Sequence, residues 1–474
     1  MLVLLCSLLY ARHANVTEYF YDSKYYWKLA NVIYEESLDP INILKFPKSI
    51  RGYFFPSLTG YFKTFFNGVW GWRVLASLSM AFCFSLSLPY ALKGRGLRSL
   101  RELGGTLLAY AVYMWLWGDL MQYPLSDFIS CILLVSAIAF LRTVREEHPA
   151  VLKILFGFCS GALLYTAYNT RPTFLYSGII ILLAFVLINR KKTGMTAAVL
   201  ISALIGMAVF ASPQCYINNR HDGNYSPLVN YDLMDSEVFR GLYTARYETY
   251  VGDPAAYPSA GVVFRDPAGD QIIAREQLNI EDFRLTDLFG LFLKYPPDIA
   301  GIYVRHLISL LTPVYRQIYL TNVCEIRVVP VITSIFLWLI AGYGILERIR
   351  RREITLHSLW ILAICLPGLL QIIDEPELRF FLPLYLLCYY DVFVLTDHRE
   401  MLRSLKTDWP RVLIISALIL ALWLSLLGDT LSANREHPLL LSGFAVCLTE
   451  KSQRDLFHPD SYRAGKKDPF SSGM

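Results

Sequence analysis

Basic side chains recur at every second polar joint between long apolar runs, and that alternation confines the chain to a membrane-embedded bundle of helices. The joints at 93–101 (Lys93, Arg95, Arg98, Arg101), 142–153 (Arg142, Arg145, Lys153) and 190–192 (Arg190, Lys191, Lys192) are cationic. The joints between them are not: 118–127 holds Asp119 and Asp127 without a cation, and 166–172 holds Arg171 alone. Short basic loops mark the cytoplasmic side of a polytopic protein. The long polar stretches then face away from the cytosol, and any chemistry they carry lies there.

Crossing a bilayer takes roughly 20 mainly apolar residues in a helix. Runs of that kind are expected at 69–92, 103–121, 125–142, 151–168, 172–189, 195–212, 328–346, 355–373, 379–396 and 411–429. Residues 1–11 are apolar but short; without a basic leader or a small-residue cleavage site they read as the outer half of a first span. Residues 299–322 are also apolar, but Arg305, His306, Pro313 and Arg316 interrupt them. A crossing there would carry Arg348, Arg350, Arg351, Arg352, Arg399, Arg403 and Lys406 outside, so this segment reads as an interfacial or re-entrant helix. The expected fold is therefore an all-α polytopic membrane protein of about 11 transmembrane helices with large outer loops. Its N-terminus would be cytoplasmic and its C-terminus extracytoplasmic.

Four regions follow. Residues 1–212 form an N-terminal transmembrane module with a first outer loop at 12–68. Residues 213–326 are an outer region, 327–429 the C-terminal helices and 430–474 an outer tail. With 55% hydrophobic and 18% charged residues, the composition excludes an ordinary soluble enzyme. The net charge of +5 gives no nucleic-acid signature, because the cations sit at span ends rather than in an aromatic-interleaved patch. The nine cysteines show no metal-type spacing. Cys215 and Cys324 share the outer side and are the candidate pair for a disulfide in an oxidising compartment.

The first outer loop is the most informative polar stretch. Asp22 stands at the start of a helix expected from about 23 to 36, on which Tyr26, Leu29 and Ile33 share a face. A turn-rich link with Lys45, Lys48 and Arg51 follows, then the aromatic run 58–66. Tyr123-Pro-Leu-Ser-Asp127 opens a span after a short outer joint. Asn169-Thr-Arg-Pro172 closes another, and Glu375-Pro-Glu-Leu-Arg379-Phe-Phe-Leu-Pro383 opens a late one. Bland alternatives attach to each. Asp22 and Asp127 are good helix caps, and Lys48 and Arg51 suit lipid headgroups.

Together these patches resemble the GT-C superfamily of membrane glycosyltransferases, including its protein O-mannosyltransferase-like and aminoarabinose-transferase-like members. The resemblance is scattered over about 1–390 and lies in architecture and short motifs. It implies transfer of a sugar, with inversion, from a polyprenyl- or dolichyl-phosphate donor to an acceptor hydroxyl on a glycan, lipid or protein at the extracytoplasmic face. Asp22 would be the general base, with Asp127 as a second catalytic acid residue. Lys48, Arg51, Arg171, Arg305, His306 and Arg379 would bind the phosphate, since guanidinium forks match phosphate oxygens. Where the family commonly has a richer acidic cluster, this chain has Ser23, so the resemblance leaves a divalent cation open as a cofactor. The lack of a C-terminal retention signal points to a bacterial plasma membrane. Competing readings are a lipid-linked saccharide polymerase or ligase, using arginines and histidine of 213–326, and a flippase, which would place ionisable groups at mid-membrane.

Overall fold

The computed structural model describes residues 1–13, 16, 18–35, 46–47, 51–144, 147–229, 234–251, 261–315, 317–321, 327–352 and 355–432. Nearly all regular structure there is helical, as the apolar runs require: out of reach of water, a helix satisfies its own amides and carbonyls. α1 (Leu2–Arg12) leads into a pair packed on each other, α2 (Tyr21–Glu35) and α3 (Phe54–Phe65). α4 (Val69–Phe82) continues through a π turn at Cys83–Ser87 into α5 (Leu88–Lys93). Then come α6 (Leu100–Trp117), α7 (Ser126–Arg142), α8 (Ala150–Thr170), α9 (Phe174–Ile188) and α10 (Thr193–Asp222).

Five segments among the described residues are long and apolar enough to cross a bilayer: Val69–Lys93, Ala150–Thr170, Thr193–Asp222, Val328–Arg350 and Leu378–Leu395. Leu2–Arg12, Phe174–Ile188, Ser358–Leu370 and Val412–Gly428 are apolar but shorter. The chain is a predominantly helical membrane protein. α7 runs through its centre, with Leu134, Val135, Ala137 and Ile138 sealed from solvent. A helix apolar on all sides belongs inside a bundle.

Contacts fix the helix directions. The start of α6 meets the end of Leu378–Leu395, where a Cβ on Gly105 would strike Phe393 O and Arg101 Nη2 donates to Thr396 O (3.3 Å). The end of α6 meets the end of α1, with Gly118 against the Tyr10 hydroxyl. α8 and α10 run parallel in close register: Gly157 lies against Val199 O, Gly161 against Ala203 O, and Gly206 against Phe158 O. Small residues permit that approach. The basic joints gather at one end, where Arg142 donates to Ala91 O (2.7 Å), Lys93 pairs with Glu102 (2.7 Å) and Arg101 with Asp397 (3.6 Å).

At the opposite end α11 (Met234–Tyr243), α12 (Pro267–Glu276), α13 (Leu285–Lys294) and α14 (Pro296–Leu311) build a compact unit. A small sheet joins it, in the order β2 (Gly261–Arg265), β1 (Thr244–Tyr250), β3 (Tyr319–Leu320). β2 is antiparallel and β3 parallel to β1. Val238, Leu242, Ile272, Phe283, Ile299 and Ile302 form its core. β1 is tied to α14 through buried Arg246, whose Nη1 donates to Ser309 O (3.2 Å) and Thr312 O (3.0 Å) while Nε donates to Glu248 (2.6 Å). The chain then continues through α15 (Val328–Arg350), α16 (Ser358–Leu370), α17 (Leu382–Tyr390) and α18 (His398–Ser432).

The helical part of 299–322, α14, packs one face against β1, α12, α13 and α18, with Ile299, Ile302, His306 and Leu310 buried, and leaves Val304 exposed. One boundary changes. The run expected to end at 212 continues as helix through Pro213 to Asp222, where Gly223 (φ 67°) closes it in the left-handed region.

Candidate functional site

Chain regions distant in sequence converge where the helical bundle meets the sheet unit, around a cavity of about 260 Å³. Asp22 comes from the first turn of α2. Tyr21 before it holds φ 40°, an orientation costing roughly 1–3 kcal/mol in general, and its hydroxyl donates to Tyr250 O (3.1 Å). Ser23, not Asp22, ties down the start of the helix: its Oγ accepts from Phe20 N (3.0 Å) and its amide donates to the Tyr319 hydroxyl (3.4 Å). Asp22 instead turns to the cavity, its Oδ1 accepting from Arg51 Nη2 (3.1 Å) and its Oδ2 from Arg379 Nη2 (2.7 Å). The helix-cap alternative for Asp22 therefore falls.

Arg379 is the hub. It sits 9% exposed just before α17, where Leu378–Phe381 forms a tight turn, and its Nε pairs with Glu377 Oε1 (2.6 Å). Its Nη1 lies 3.9 Å from Asp127 Oδ2. Asp127, in the first turn of α7, is also in contact with Arg171 from the end of α8. Both guanidiniums lie over the Phe380 ring, Arg171 at 3.9 Å and Arg379 at 4.9 Å from its centre. Asp127 is thus an ion partner and not a cap.

The far wall is acidic. Glu237 and Arg240 come from α11, and Asp374 and Glu375 from the turn after α16. Arg240 Nε lies 3.3 Å from Glu375 Oε2, and Gln371 Nε2 donates to Asp374 Oδ2 (3.3 Å). The turn is held by the sheet, since Tyr247 N donates to Pro376 O (3.2 Å). Burial would raise the Asp22 carboxyl, but Arg51 and Arg379 outweigh it and hold the group well below the usual carboxylate range. Burial, with Glu237 and Glu375 nearby, pushes Asp374 up to about 7. Burial also takes Glu375 to about 7 against the pull of Arg240. One cavity holds carboxyls of opposite character.

Of the residues expected from sequence, Asp22, Asp127, Arg51, Arg171 and Arg379 meet here. Arg305 does not: it clamps Asp266, the N-cap of α12, through Nε–Oδ2 (2.5 Å) and Nη2–Oδ1 (2.8 Å). His306 is buried against Ile372 O (2.7 Å), behind the acidic turn. Lys48 and Cys324 lie outside the described residues, and Cys215 borders an apolar groove on α10. Sequence reasoning passed over Glu237, Arg240, Asp374, Tyr247 and Tyr319, and noted Glu375 and Glu377 only as part of the motif around Arg379. The acidic members at 374–377 flank Arg379, and that adjacency was the available signal. Among the described residues no group of three or more His, Cys, Asp or Glu is arranged to hold a metal ion.

The charged cavity does not end in polar surface. A small recess under Arg171 and Arg379 reaches Phe174, and Phe174 also borders an apolar groove of about 570 Å³ between α8, α9 and α10. Leu164, Leu175, Ile179 and Leu204 line the groove. Fixed guanidiniums beside an apolar slot suit an amphiphile with an anionic head. Comparisons with models of protein families, with curated proteins and with solved structures returned no match.

Proposed function

We propose that this chain is an integral membrane glycosyltransferase of GT-C type, moving a sugar from a polyprenyl- or dolichyl-phosphate donor to an acceptor hydroxyl at the extracytoplasmic face. The observation that carries the reading is the closeness of Arg171 and Arg379 to Phe174, a residue that also lines the groove between α8, α9 and α10. Phosphate at the arginines with an isoprenoid tail along the groove satisfies both surfaces at once. The arginines would stabilise the charge that grows on the phosphate as the sugar leaves, the kind of interaction that usually contributes most to catalysis. Asp22 and Asp127 hold all three of those guanidiniums in place through direct ion pairs. In the sidedness read from the basic joints, the cavity opens away from the cytosol, on the outer face of an eleven-span bundle in a bacterial plasma membrane.

A flippase is the weaker alternative, because the ionisable groups of the cavity collect at one end of the bundle, where surface chemistry needs them, rather than at its middle. A polymerase or ligase built on arginine and histidine of 213–326 loses support from the engagement of Arg305 and His306 in packing contacts. The test is sugar transfer by the full chain in liposomes, using a panel of radiolabelled undecaprenyl-phosphate hexoses and pentoses with mixed lipid, glycan and peptide acceptors. Wild type should transfer from at least one donor. Asp22→Asn, with normal melting behaviour, should lose about a hundredfold or more. Asp22→Asn at wild-type rate would remove Asp22 from the site; silence of wild type across the panel would sink the enzyme reading.

A further inference from the structure

The cavity has two halves, and the glycosyl-transfer reading assigns only one of them. The cationic half takes the phosphate, and its carboxylate is fully engaged, because both oxygens of Asp22 are held by arginines. A carboxylate clamped in that way is a weak proton acceptor, since each guanidinium stabilises the ionised form. The other half contains a carboxyl of a different kind. Asp374 lines the cavity at 8% exposure, its Oδ2 accepts only the amide of Gln371, and its Oδ1 is buried with no hydrogen-bond partner. A buried polar atom left unpaired costs about 1–3 kcal/mol in general, so it marks a place where a donor is expected.

We infer that Asp374, and not Asp22, accepts the proton of the acceptor hydroxyl, and that the half of the cavity bounded by Glu237, Arg240 and Glu375 is the acceptor subsite. This rests on the glycosyl-transfer reading and adds the acceptor side to it. Glu375 already faces Arg240 at 3.3 Å, whereas Asp374 keeps a buried Oδ1 with no hydrogen-bond partner. The surrounding carboxyls disfavour an anionic acceptor, so the subsite fits a neutral or cationic polyhydroxyl compound. In the step itself the acceptor oxygen forms the new bond to the anomeric carbon. The bond from that carbon to the phosphate oxygen breaks, and its electron pair leaves with the lipid phosphate against Arg51, Arg171 and Arg379. The hydroxyl proton passes to Asp374 Oδ1 and afterwards to water. A carboxyl shifted to about 7 is matched to that task near neutral pH. The charged and titratable groups facing it are Glu237 and Arg240 of α11, Arg171 at the end of α8, Tyr303 of α14, and Glu375 and Glu377 of its own turn.

The test uses the full chain in liposomes, wild type beside Asp374→Asn and Asp374→Glu, with farnesyl phosphate as a calorimetric probe of the donor half. Asp374→Asn should bind farnesyl phosphate within about twofold of wild type and lose a hundredfold or more in kcat with KM for donor little changed. The wild-type rate should climb as pH rises through about 7 and then level, because the acceptor of the proton must be ionised. Asp374→Glu should recover part of the rate with a shifted profile. Transfer by a folded Asp374→Asn within threefold of wild type overturns the assignment while leaving the enzyme reading intact. Loss of farnesyl phosphate binding in the same variant also overturns it, because Asp374 would then be organising the donor half. A wild type inactive with every donor overturns both readings together.

Discussion

Arg379 faces three carboxylates at once, Asp22, Glu377 and Asp127, which makes its removal the most disruptive single change expected at the site. Truncation to Ala would leave Asp22 with Arg51 alone and would strand Glu377, whose side chain is only 12% exposed. Breaking a buried pair by deleting one partner typically costs about 3–5 kcal/mol, far more than the pair contributes when intact. Melting of Arg379→Ala in detergent should fall well below that of Arg51→Ala, whose carboxylate partner keeps Arg379. Adding Asp22→Asn to Arg379→Ala should restore part of the loss, since the stranded charge is then gone; strict additivity of the two changes would show that the ion pair is not coupled. At this scale the sequence was informative about which charges are unusual and silent about whom they meet. Arg171 and Arg379 were legible because outer-end cations run against the topological bias. Arg305 looked similar, but its partner Asp266 lies 39 residues away and caps a helix no motif announced. Asp374 was hidden by attention to cations, although it adjoins the motif that runs from Glu375 through Arg379.

Among the elements, the parallel contact of α8 with α10 positions both the groove and Arg171. The spacing Gly157, Gly161 along α8 brings its backbone against Val199 and Ala203, and a Cβ at Gly161 would sit 1.8 Å from Ala203 O. That obstacle is backbone and cannot rotate aside, so Gly161→Val must push the two helices apart. Interiors packed at crystal-like density do not absorb such a displacement locally, and overpacking of this kind commonly costs about 1–3 kcal/mol or more. We expect Gly161→Val to lower the melting temperature in detergent and to weaken farnesyl phosphate binding several-fold, as the groove and Arg171 shift together. Gly104→Ala serves as the comparison, because a Cβ there meets nothing within 4 Å. Equal behaviour of the two variants would show that the seam does not position the site. Helix existence was readable from apolar length, and most of the expected runs coincide with helices. Which of them pack was not: nothing in apolar length distinguishes the glycines of a seam from those facing lipid. The partners of α14 were hidden for the same reason, since an amphipathic pattern at 299–311 does not say that its buried face meets β1, α12, α13 and α18.

For the molecule as a whole, the sorting of charge between the two ends is the property from which the functional reading grows. Lys93, Arg95, Arg101 and Arg142 gather where α5, α6 and α7 meet, tied to Glu102, Asp397 and backbone carbonyls. Asp22, Asp127, Arg171 and Arg379 gather at the other end with the sheet unit. The sequence anticipated this separation because each charge was counted at a helix terminus, and helix directions alternate in a bundle with short joints. What it could not supply was the number of crossings, since α9 and α16 are short for a bilayer and α1 shorter still. Sidedness can be measured directly. Tyr225, exposed just beyond α10, and Arg98, exposed between α5 and α6, lie on opposite ends of the bundle. With Tyr225→Cys and Arg98→Cys, each in a background lacking the exposed native Cys6, a membrane-impermeant maleimide should label position 225 in intact cells. Position 98 should react only after permeabilisation, because short loops rich in lysine and arginine are retained in the cytosol. The reverse result would place the cavity inside the cell, where donors for a cytosolic enzyme are nucleotide sugars, and would remove the lipid-phosphate donor from consideration. Labelling of both positions from one side would be worse for the fold, since it breaks the alternation on which the order of α5 to α10 depends.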